Sequence, residues 1–366
     1  MPNVVIVNVK KRYGDIVALD GVSLEIRDRE YVCIIGPSGS GKSTLLKVIA
    51  GIIKPDEGKV FIDGVPVDKI PIENRRLGLV LQDILLFPHM TLWDNTTYSP
   101  VVRGLNYNLV REKGLTALSL VEIDIPLEIL PNELSRGAQQ KIALARALAA
   151  DAKLLLLDEP LGSIDARTAR SLRYELRRIV KSLGLTAIHV THNQEEAMSI
   201  ADRIIVMRKG KVEQIGTPLE LYTNPRTPFV CRFIGGEANF FEGKVIGRNG
   251  KSTIVALNNG SKLEIYDPKN LNGKVVIAIR PEHIVMSVDE NEVNDNINVL
   301  EGHIVEVHFL GSYIRYVVNT NEGELIVKVP RNKIIFKEGD RVYLHVKHAY
   351  LFRYPEEGLE KAIAYE

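Results

Sequence analysis

Only two cysteines occur in 366 residues, Cys33 and Cys231, and they lie far apart in the chain. A disulfide framework is thereby excluded. Cys33 sits inside the apolar run Tyr31-Val32-Cys33-Ile34-Ile35 and reads as a small buried hydrophobe. An excess of one charge is missing too, with 47 Lys and Arg against 46 Asp and Glu. Net charge therefore gives no support to nucleic-acid binding, and no nucleic acid is expected as a partner. No apolar run reaches the roughly 18 residues that a membrane-spanning helix needs. The start, Met1-Pro2-Asn3-Val4, lacks the charged-then-apolar layout of a signal peptide, so a cytosolic location is expected. What remains is the composition of an ordinary globular protein, 45% hydrophobic and 25% charged, at a length that suits two domains.

Residues 36–44 read Gly36-Pro37-Ser38-Gly39-Ser40-Gly41-Lys42-Ser43-Thr44 and fit G-x-x-x-x-G-K-[ST]. They follow the apolar run 31–35 and precede a helical pattern, Leu45-Leu46-Lys47-Val48-Ile49-Ala50. That is the strand–loop–helix setting of a phosphate-binding loop. The glycines let successive backbone N–H groups turn inward around phosphate oxygens at a helix N-terminus. Lys42 is expected to reach the β- and γ-phosphates and the Ser43 hydroxyl to hold Mg²⁺. A chance glycine-rich turn would not bring the lysine, the hydroxyl and both flanking elements into register. The chain is expected to bind a nucleoside triphosphate.

A second motif narrows the chemistry. Leu154-Leu155-Leu156-Leu157-Asp158-Glu159 sets two acids at the C-terminal end of a buried strand, where open α/β sheets bind their ligands. Asp158 is placed to support Mg²⁺ through a water, and Glu159 to polarise the attacking water. Such a pair is usually just a solvated strand end; the apolar run and the upstream loop argue for function here.

With these in place, the remaining residues resemble one family, the ATP-binding-cassette (ABC) ATPases. Leu134-Ser135-Arg136-Gly137-Ala138-Gln139-Gln140 is similar to that family's signature segment. Gln82, after Leu79-Val80-Leu81, is similar to its Q-loop glutamine, and Ser163-Ile164-Asp165 to its D-loop. His192, after Ala187–Thr191, matches its switch histidine, and Tyr13 falls where the family stacks an aromatic ring on adenine. Singly each has a plainer reading: Tyr13 as a surface or core aromatic, His189 and His192 as core histidines. Only His192 of the two falls at the motif position, and the shared order over residues 1 to about 235 carries the resemblance. It implies ATP and Mg²⁺ as cofactors, with catalysis through Glu159, His192 and Gln82. Metal contacts would come from Ser43, Gln82 and Asp158. It also implies a head-to-tail dimer in which Ser135 and Gly137 face ATP bound by the partner. The usual Leu-Ser-Gly-Gly-Gln is altered, with Arg136 for the first glycine and Ala138 for the glutamine, while Ser135 and Gly137 are retained.

Up to about residue 235, β-like runs alternate with helical patterns. Val4–Val9 and Ala18–Ile26 read as an antiparallel flank, residues 91–130 as mostly helical, and Lys141–Ala150 as a helix. Lys153–Leu157 and Thr186–Val190 read as buried parallel strands. Past Phe233-Ile234-Gly235-Gly236, short alternating strands take over at Glu242–Gly247, Ser252–Ala256, Lys274–Ile279, Gly302–His308, Tyr313–Val318, Glu324–Val329 and Arg341–Lys347. The fold class expected is α/β: a P-loop domain of ABC type over 1–235, with an antiparallel β flank and a helical subdomain near 85–150. A small all-β, OB-like barrel is expected to follow over 236–366. An echo between Phe241-Glu242-Gly243-Lys244-Val245 and Leu300-Glu301-Gly302-His303-Ile304 points to two similar halves within it.

Only 92 residues separate Lys42 from Ser135, without sustained heptads, which argues against the coiled-coil ATPases of chromosome maintenance and DNA repair. A single cassette argues against translation-associated members, and the lack of fused membrane segments against exporters. Ala278-Ile279-Arg280-Pro281-Glu282-His283, Phe309-Leu310-Gly311-Ser312 and the linker Gln214–Tyr222 resemble the accessory β domain of importer ATPases for sugars, polyamines and oxyanions. The function implied is an ATP-hydrolysing subunit that energises solute import, with carbohydrate ranked first. Polyamine, metal-ion or oxyanion uptake is the alternative, and a soluble non-transport ABC ATPase the reading of a different class. The partners implied are a second copy or a paralogous ABC ATPase and two membrane-spanning permease subunits meeting the surface near Phe87–Trp93. An extracytoplasmic solute-binding protein would be an indirect partner, and the location is peripheral, on the inner face of the cell membrane. His283, His303 and His308 lack the spacing of metal ligands.

Overall fold

The computed structural model describes residues 2–71, 74–267, 270–288, 297–331 and 336–365. It divides into two compact units, Met1–Glu220 and Leu221–Tyr365. The first carries β1 (Val4–Tyr13), β2 (Ile16–Ile26), β3 (Tyr31–Ile35), α1 (Lys42–Ala50), β4 (Glu57–Ile62), β5 (Val65–Pro66), β6 (Leu77–Val80), α2 (Leu92–Val102), α3 (Tyr107–Leu120) and α4 (Arg136–Ala149). Then come β7 (Leu154–Asp158), α5 (Ala166–Ser182), β8 (Thr186–Val190), α6 (Gln194–Ile200), β9 (Arg203–Arg208) and β10 (Lys211–Gly216).

Strands β3, β7 and β8 are apolar almost throughout and buried at every position, the pattern of strands covered on both faces. They form the centre of a six-stranded sheet ordered β10-β9-β3-β8-β7-β6, parallel except for β10. The expected flank is a four-stranded antiparallel sheet, β2-β1-β4-β5. Leu45, Leu46, Val48 and Ile49 on one side of α1 join both sheets in a single core. Each such side chain contributes roughly 1.5–3 kcal/mol when fully buried.

Helices α2 to α6 each start on a side chain that accepts a backbone N–H, namely Thr91, Asn106, Ser135, Asp165 and Asn193. Each cap is worth about 1 kcal/mol. Helices α2, α3 and α4 pack on one another as the helical subdomain. The helical pattern expected to reach residue 130 stops at Leu120, where Glu122 enters the left-handed region at φ 52° and turns the chain.

The second unit holds α8 (Pro228–Phe233), after α7 (Pro218–Thr223), and then β11 (Asn239–Asn249), β12 (Ser252–Leu257), β13 (Lys262–Tyr266), β14 (Lys274–Ile279) and β15 (Ile284–Ser287). It continues with β16 (Val299–Phe309), β17 (Tyr313–Thr320), β18 (Gly323–Pro330), β19 (Arg341–Val346), β20 (Tyr350–Arg353) and α9 (Leu359–Ile363). The sequence placed the change of character at residue 235, whereas residues 221–235 pack within this unit. The reason is a wholly buried Arg280, which donates to the carbonyls of Ile234 at 2.6 Å and Tyr222 at 3.2 Å. Phe229 and Phe233 stack with centroids 5.4 Å apart, and Tyr365 meets both edge-on.

The β strands make two five-stranded antiparallel sheets, β13-β12-β11-β14-β20 and β18-β17-β16-β19-β15, curled as OB-like half-barrels around a shared core. Alternation located seven of the ten strands; β13, β15 and β20, four or five residues each, escaped it. The echo between residues 241–245 and 300–304 is a repeat of topology. Gly243 pairs with Val275 and Gly302 with Val342, and a bulge follows in each case, after Val245 and after Ile304. The fifth strand of each half is exchanged. Strand β15, which follows β14, pairs with β19, while β20, which follows β19, pairs back with β14.

Candidate active site

Parallel strands that pair in register end together. Val80 lies beside Leu157, Leu157 and Cys33 both lie beside His189, and Asp158 lies beside Val190. Loop 36–41, Gln82, Asp158-Glu159 and His192 therefore emerge at one carboxyl edge of the sheet, where open α/β sheets bind ligands.

The loop needs glycine at two points. At Gly41, with φ at 97°, a Cβ would stand 2.2 Å from the Ala18 carbonyl oxygen; at Gly36 it would stand 2.2 Å from that of Met207. The resulting cradle of backbone N–H groups opens on the first residue of α1, as a bound phosphate requires. Within the loop Gly39 also takes a left-handed φ, Pro37 carbonyl accepts from Ser40 N–H, and Ser38 and Thr44 complete the run. Lys42 Nζ folds back onto the carbonyls of Gly36 at 2.9 Å and Pro37 at 2.8 Å. Burial pushes the Lys42 amine below its ordinary pKa, with Glu159 and Asp158 opposing. Such a desolvated cation gains most from a polyanion.

Ser43 Oγ donates to Asp158 Oδ1 at 2.9 Å, and burial raises the Asp158 carboxyl against that bond. A hydroxyl and one carboxylate are hard oxygen donors that suit Mg²⁺, which completes its shell with phosphate and water. Bound there, Mg²⁺ would neutralise charge on phosphate oxygens. Glu159 sits at φ 46°, a left-handed backbone for a non-glycine residue, with a cost of order 1–3 kcal/mol. Its N–H is held by Val190 O at 2.9 Å, and its Oε2 lies 3.0 Å from His192 Nδ1. His192 is 64% exposed, whereas His189 is fully buried and burial holds its pKa down to about 3. Gln82 is exposed, two residues past β6.

Tyr13 ends β1 and pairs with Ile16, two residues from the Ala18 that abuts Gly41; its ring is half exposed, with Lys11 Nζ 5.7 Å from the centroid. Ser135 and Gly137 lie at the start of α4. Ser135 caps α4, its Oγ accepting from Ala138 N–H at 3.3 Å, and Gly137 packs on Thr168 and Ile164. Arg136 is exposed. Asp165 caps α5 by accepting from Thr168 N–H at 3.0 Å, a bond that holds its carboxyl below the ordinary value.

Leu79 and Leu85, which flank Gln82 in the chain, line a groove of about 430 Å³ with Phe87, Tyr98 and Arg146. One wall is pinned by Asn95, which is fully buried and whose side chain bonds Phe87 N–H and the carbonyls of Phe87, Met90 and Thr91. Within Phe87–Trp93, Leu92 is wholly buried, so this stretch serves both the core and the groove. Sequence reasoning missed Asn95 and also Glu196, a buried carboxyl behind His192. The spacing Asn193-x-x-Glu196 marks a helix start, but no local pattern turns that carboxyl inward.

The ABC transporter family model matches residues 19–162 and the TOBE domain model residues 277–352. A spermidine/putrescine import ATP-binding protein from Nostoc sp. is 39% identical over 86% of this chain and 83% of its own. An Fe(3+) ions import ATP-binding protein from Fusobacterium nucleatum is 36% identical over 97% and 94%. A sulfate/thiosulfate import ATP-binding protein from Shewanella oneidensis is 37% identical over 94% and 97%. Among solved structures, the dimeric bacterial ABC transporter cassette MJ0796 matches with a TM-score of 0.54 and 34% identity over 59% of this chain and 98% of that one. The cassette cbiO1 of Clostridium perfringens, part of the ABC transporter complex cbiONQ, matches with a TM-score of 0.56 and 29% identity over 60% and 89%.

Proposed function

This chain belongs to the ABC transporter family as an ATP-hydrolysing import subunit, and from that premise we propose the role of each site residue and the cargo. The loop 36–44 and Lys42 hold the β- and γ-phosphates, and the Tyr13 ring supports adenine. Ser43, Asp158 and Gln82 hold Mg²⁺. Glu159 takes a proton from the attacking water as its oxygen bonds to the γ-phosphorus and the bond to the ADP oxygen breaks. His192 holds the Glu159 carboxylate in line. The observation that carries this reading is the 3.0 Å contact of His192 with Glu159 at the strand edge that also bears the phosphate loop.

The hydroxyl of Ser135 and the N–H of Gly137 meet ATP held by a second copy or a paralogue, and Asp165 lies at that junction. The dimeric state of the MJ0796 cassette supports this reading. A second structure of that cassette, dimeric and bound to ADP and Pi, supports it too. The groove lined by Leu79 and Leu85 receives a membrane-spanning permease subunit, as the origin of cbiO1 in a transporter complex supports. None of the described helices is long and apolar enough to cross a membrane. The chain therefore acts at the inner face through that partner, and an extracytoplasmic binding protein supplies the solute.

For the cargo, a polyamine replaces carbohydrate. The relatives compared above are import proteins for spermidine and putrescine, for Fe(3+) and for sulfate or thiosulfate. Uptake of labelled spermidine, Fe(3+), sulfate and a disaccharide, in cells carrying the chain or its Lys42→Ala form, tests the assignment. Lys42-dependent spermidine uptake is expected. Disaccharide uptake alone would return the cargo to carbohydrate, and ATP hydrolysis without uptake of any solute would favour a non-transport ATPase.

A further inference from the structure

The loop Thr191–Asn193, which presents His192, is closed by three bonds, two of them to Glu196. Thr191 Oγ1 donates to Glu196 Oε2 at 2.7 Å, Asn193 N–H donates to Thr191 Oγ1 at 3.0 Å, and Glu196 N–H donates to Asn193 Oδ1 at 3.0 Å. The other carboxylate oxygen, Oε1, has no hydrogen-bond partner and faces the equally unpartnered Nε2 of His189 at 3.4 Å. Behind it, His189 Nδ1 lies 3.0 Å from the Tyr31 hydroxyl. Glu196 is 4% exposed, and His189 and Tyr31 are wholly buried. Arg173, itself paired with Glu195, and the carboxylate of Glu159 act on Glu196 electrostatically.

A buried acid with one hydroxyl donor is a poor way to fill a core, since an apolar side chain of similar volume is often as stabilising or more so. What the acid does here is local: its carboxylate holds the Thr191 hydroxyl, which in turn accepts from Asn193 N–H on the other side of His192. His192 itself is largely exposed where it stands 3.0 Å from Glu159.

We propose that Glu196 is the positioning residue for His192, and that the His189–Tyr31 pair behind it sets which way its carboxyl faces. The buried column from Tyr31 on β3 through His189 on β8 to Glu196 on α6 thus aligns the switch histidine from within the sheet. This rests on the reading of His192 above.

Steady-state ATP hydrolysis by the full chain tests it. Glu196→Ala is expected to lower kcat by about 10- to 100-fold while the ATP KM changes less than about threefold, the signature of a misplaced group rather than lost substrate binding. Thr191→Val, which keeps the shape and breaks the bond, is expected to show the same loss, and Glu196→Gln, which keeps the acceptor, to restore most of kcat. In a His192→Ala background, Glu196→Ala is expected to add no further loss, because a residue acting only through His192 has nothing left to act on. A further loss in that background comparable to the loss in wild type would overturn the inference, as would full activity in both Glu196→Ala and Thr191→Val. If His192→Ala itself turned over at the wild-type rate, the premise and the inference would fall together. A slow His192→Ala beside a fast Glu196→Ala and a fast Thr191→Val would remove the inference alone.

Discussion

Replacing His189 by Gln isolates the protonation of one buried ring. Burial holds its pKa down to about 3, with the Arg173 charge adding to the effect. Unfolded, the ring takes up a proton near pH 6.5. Above that pH neither state carries the proton; between about 6.5 and 3 only the unfolded chain does. Stability therefore falls as pH falls through that window, by at most about 1.4 kcal/mol per pH unit. From pH 7 to pH 5 the loss works out at about 2 kcal/mol. Glu196 leans the other way, because burial raises its carboxyl and its native state binds a proton more readily than the unfolded chain. The wild-type curve alone would mix the two. His189→Gln removes the titrating ring and leaves an amide oxygen able to accept from the Tyr31 hydroxyl. The assay is urea unfolding followed by Trp93, the only tryptophan, half-buried on α2 in the same unit. Between pH 7 and pH 5 the wild type is expected to lose about 2 kcal/mol more than the variant. A difference below about 0.5 kcal/mol, within the error of such comparisons, would refute the reasoning. It would mean that His189 takes its proton inside the fold as an ion pair with Glu196.

Glu159→Gln keeps the shape of the side chain but cannot take a proton, so ATP is expected to stay bound while phosphate release slows about 10²-fold or more. Wild-type turnover in that variant would remove Glu159 as the base. Gly41→Ala forces a Cβ to 2.2 Å from the Ala18 carbonyl oxygen at φ 97°. Its left-handed backbone alone costs about 1–2 kcal/mol, and ATP affinity measured by calorimetric titration is expected to fall at least about tenfold; unchanged affinity would show that the loop relaxes around the methyl. Arg280→Leu leaves the Ile234 carbonyl without its donor, leaves the Tyr222 carbonyl with the Tyr350 hydroxyl alone, and strips the guanidinium from the Tyr222 ring 4.1 Å away. The second unit is expected to lose about 3 kcal/mol, seen as faster amide exchange in β14 and β20, and retained protection there would show that the carbonyls find other donors.

The phosphate loop was legible, and Asp158, Glu159 and His192 could be placed at the same sheet edge, because their positions are carried by spacing along the chain. A glycine is demanded where a Cβ would strike the neighbouring backbone, as at Gly36 and Gly41. A strand end is marked by where an apolar run stops, as at Leu157. Short strands were harder to see: β15 and β20 span four residues each, too few for alternation to register, and each earns its place by pairing with the sheet of the other half. The packing of residues 221–235 turned on Arg280, about 50 positions downstream, whose total burial nothing in its local sequence announces.

By itself, then, the sequence determined the nucleotide chemistry, the α/β and all-β halves and the order of the motifs, since these follow from local residue patterns. Tertiary structure alone decided which residues lie behind the site. Tyr31 and His189 are 158 positions apart and meet only because β3 lies next to β8 in the sheet. Glu196, on α6, meets His189 Nε2 at 3.4 Å with one oxygen and the Thr191 hydroxyl with the other. Contacts across sheet neighbours depend on strand order, and strand order is a property of the whole core rather than of any one segment.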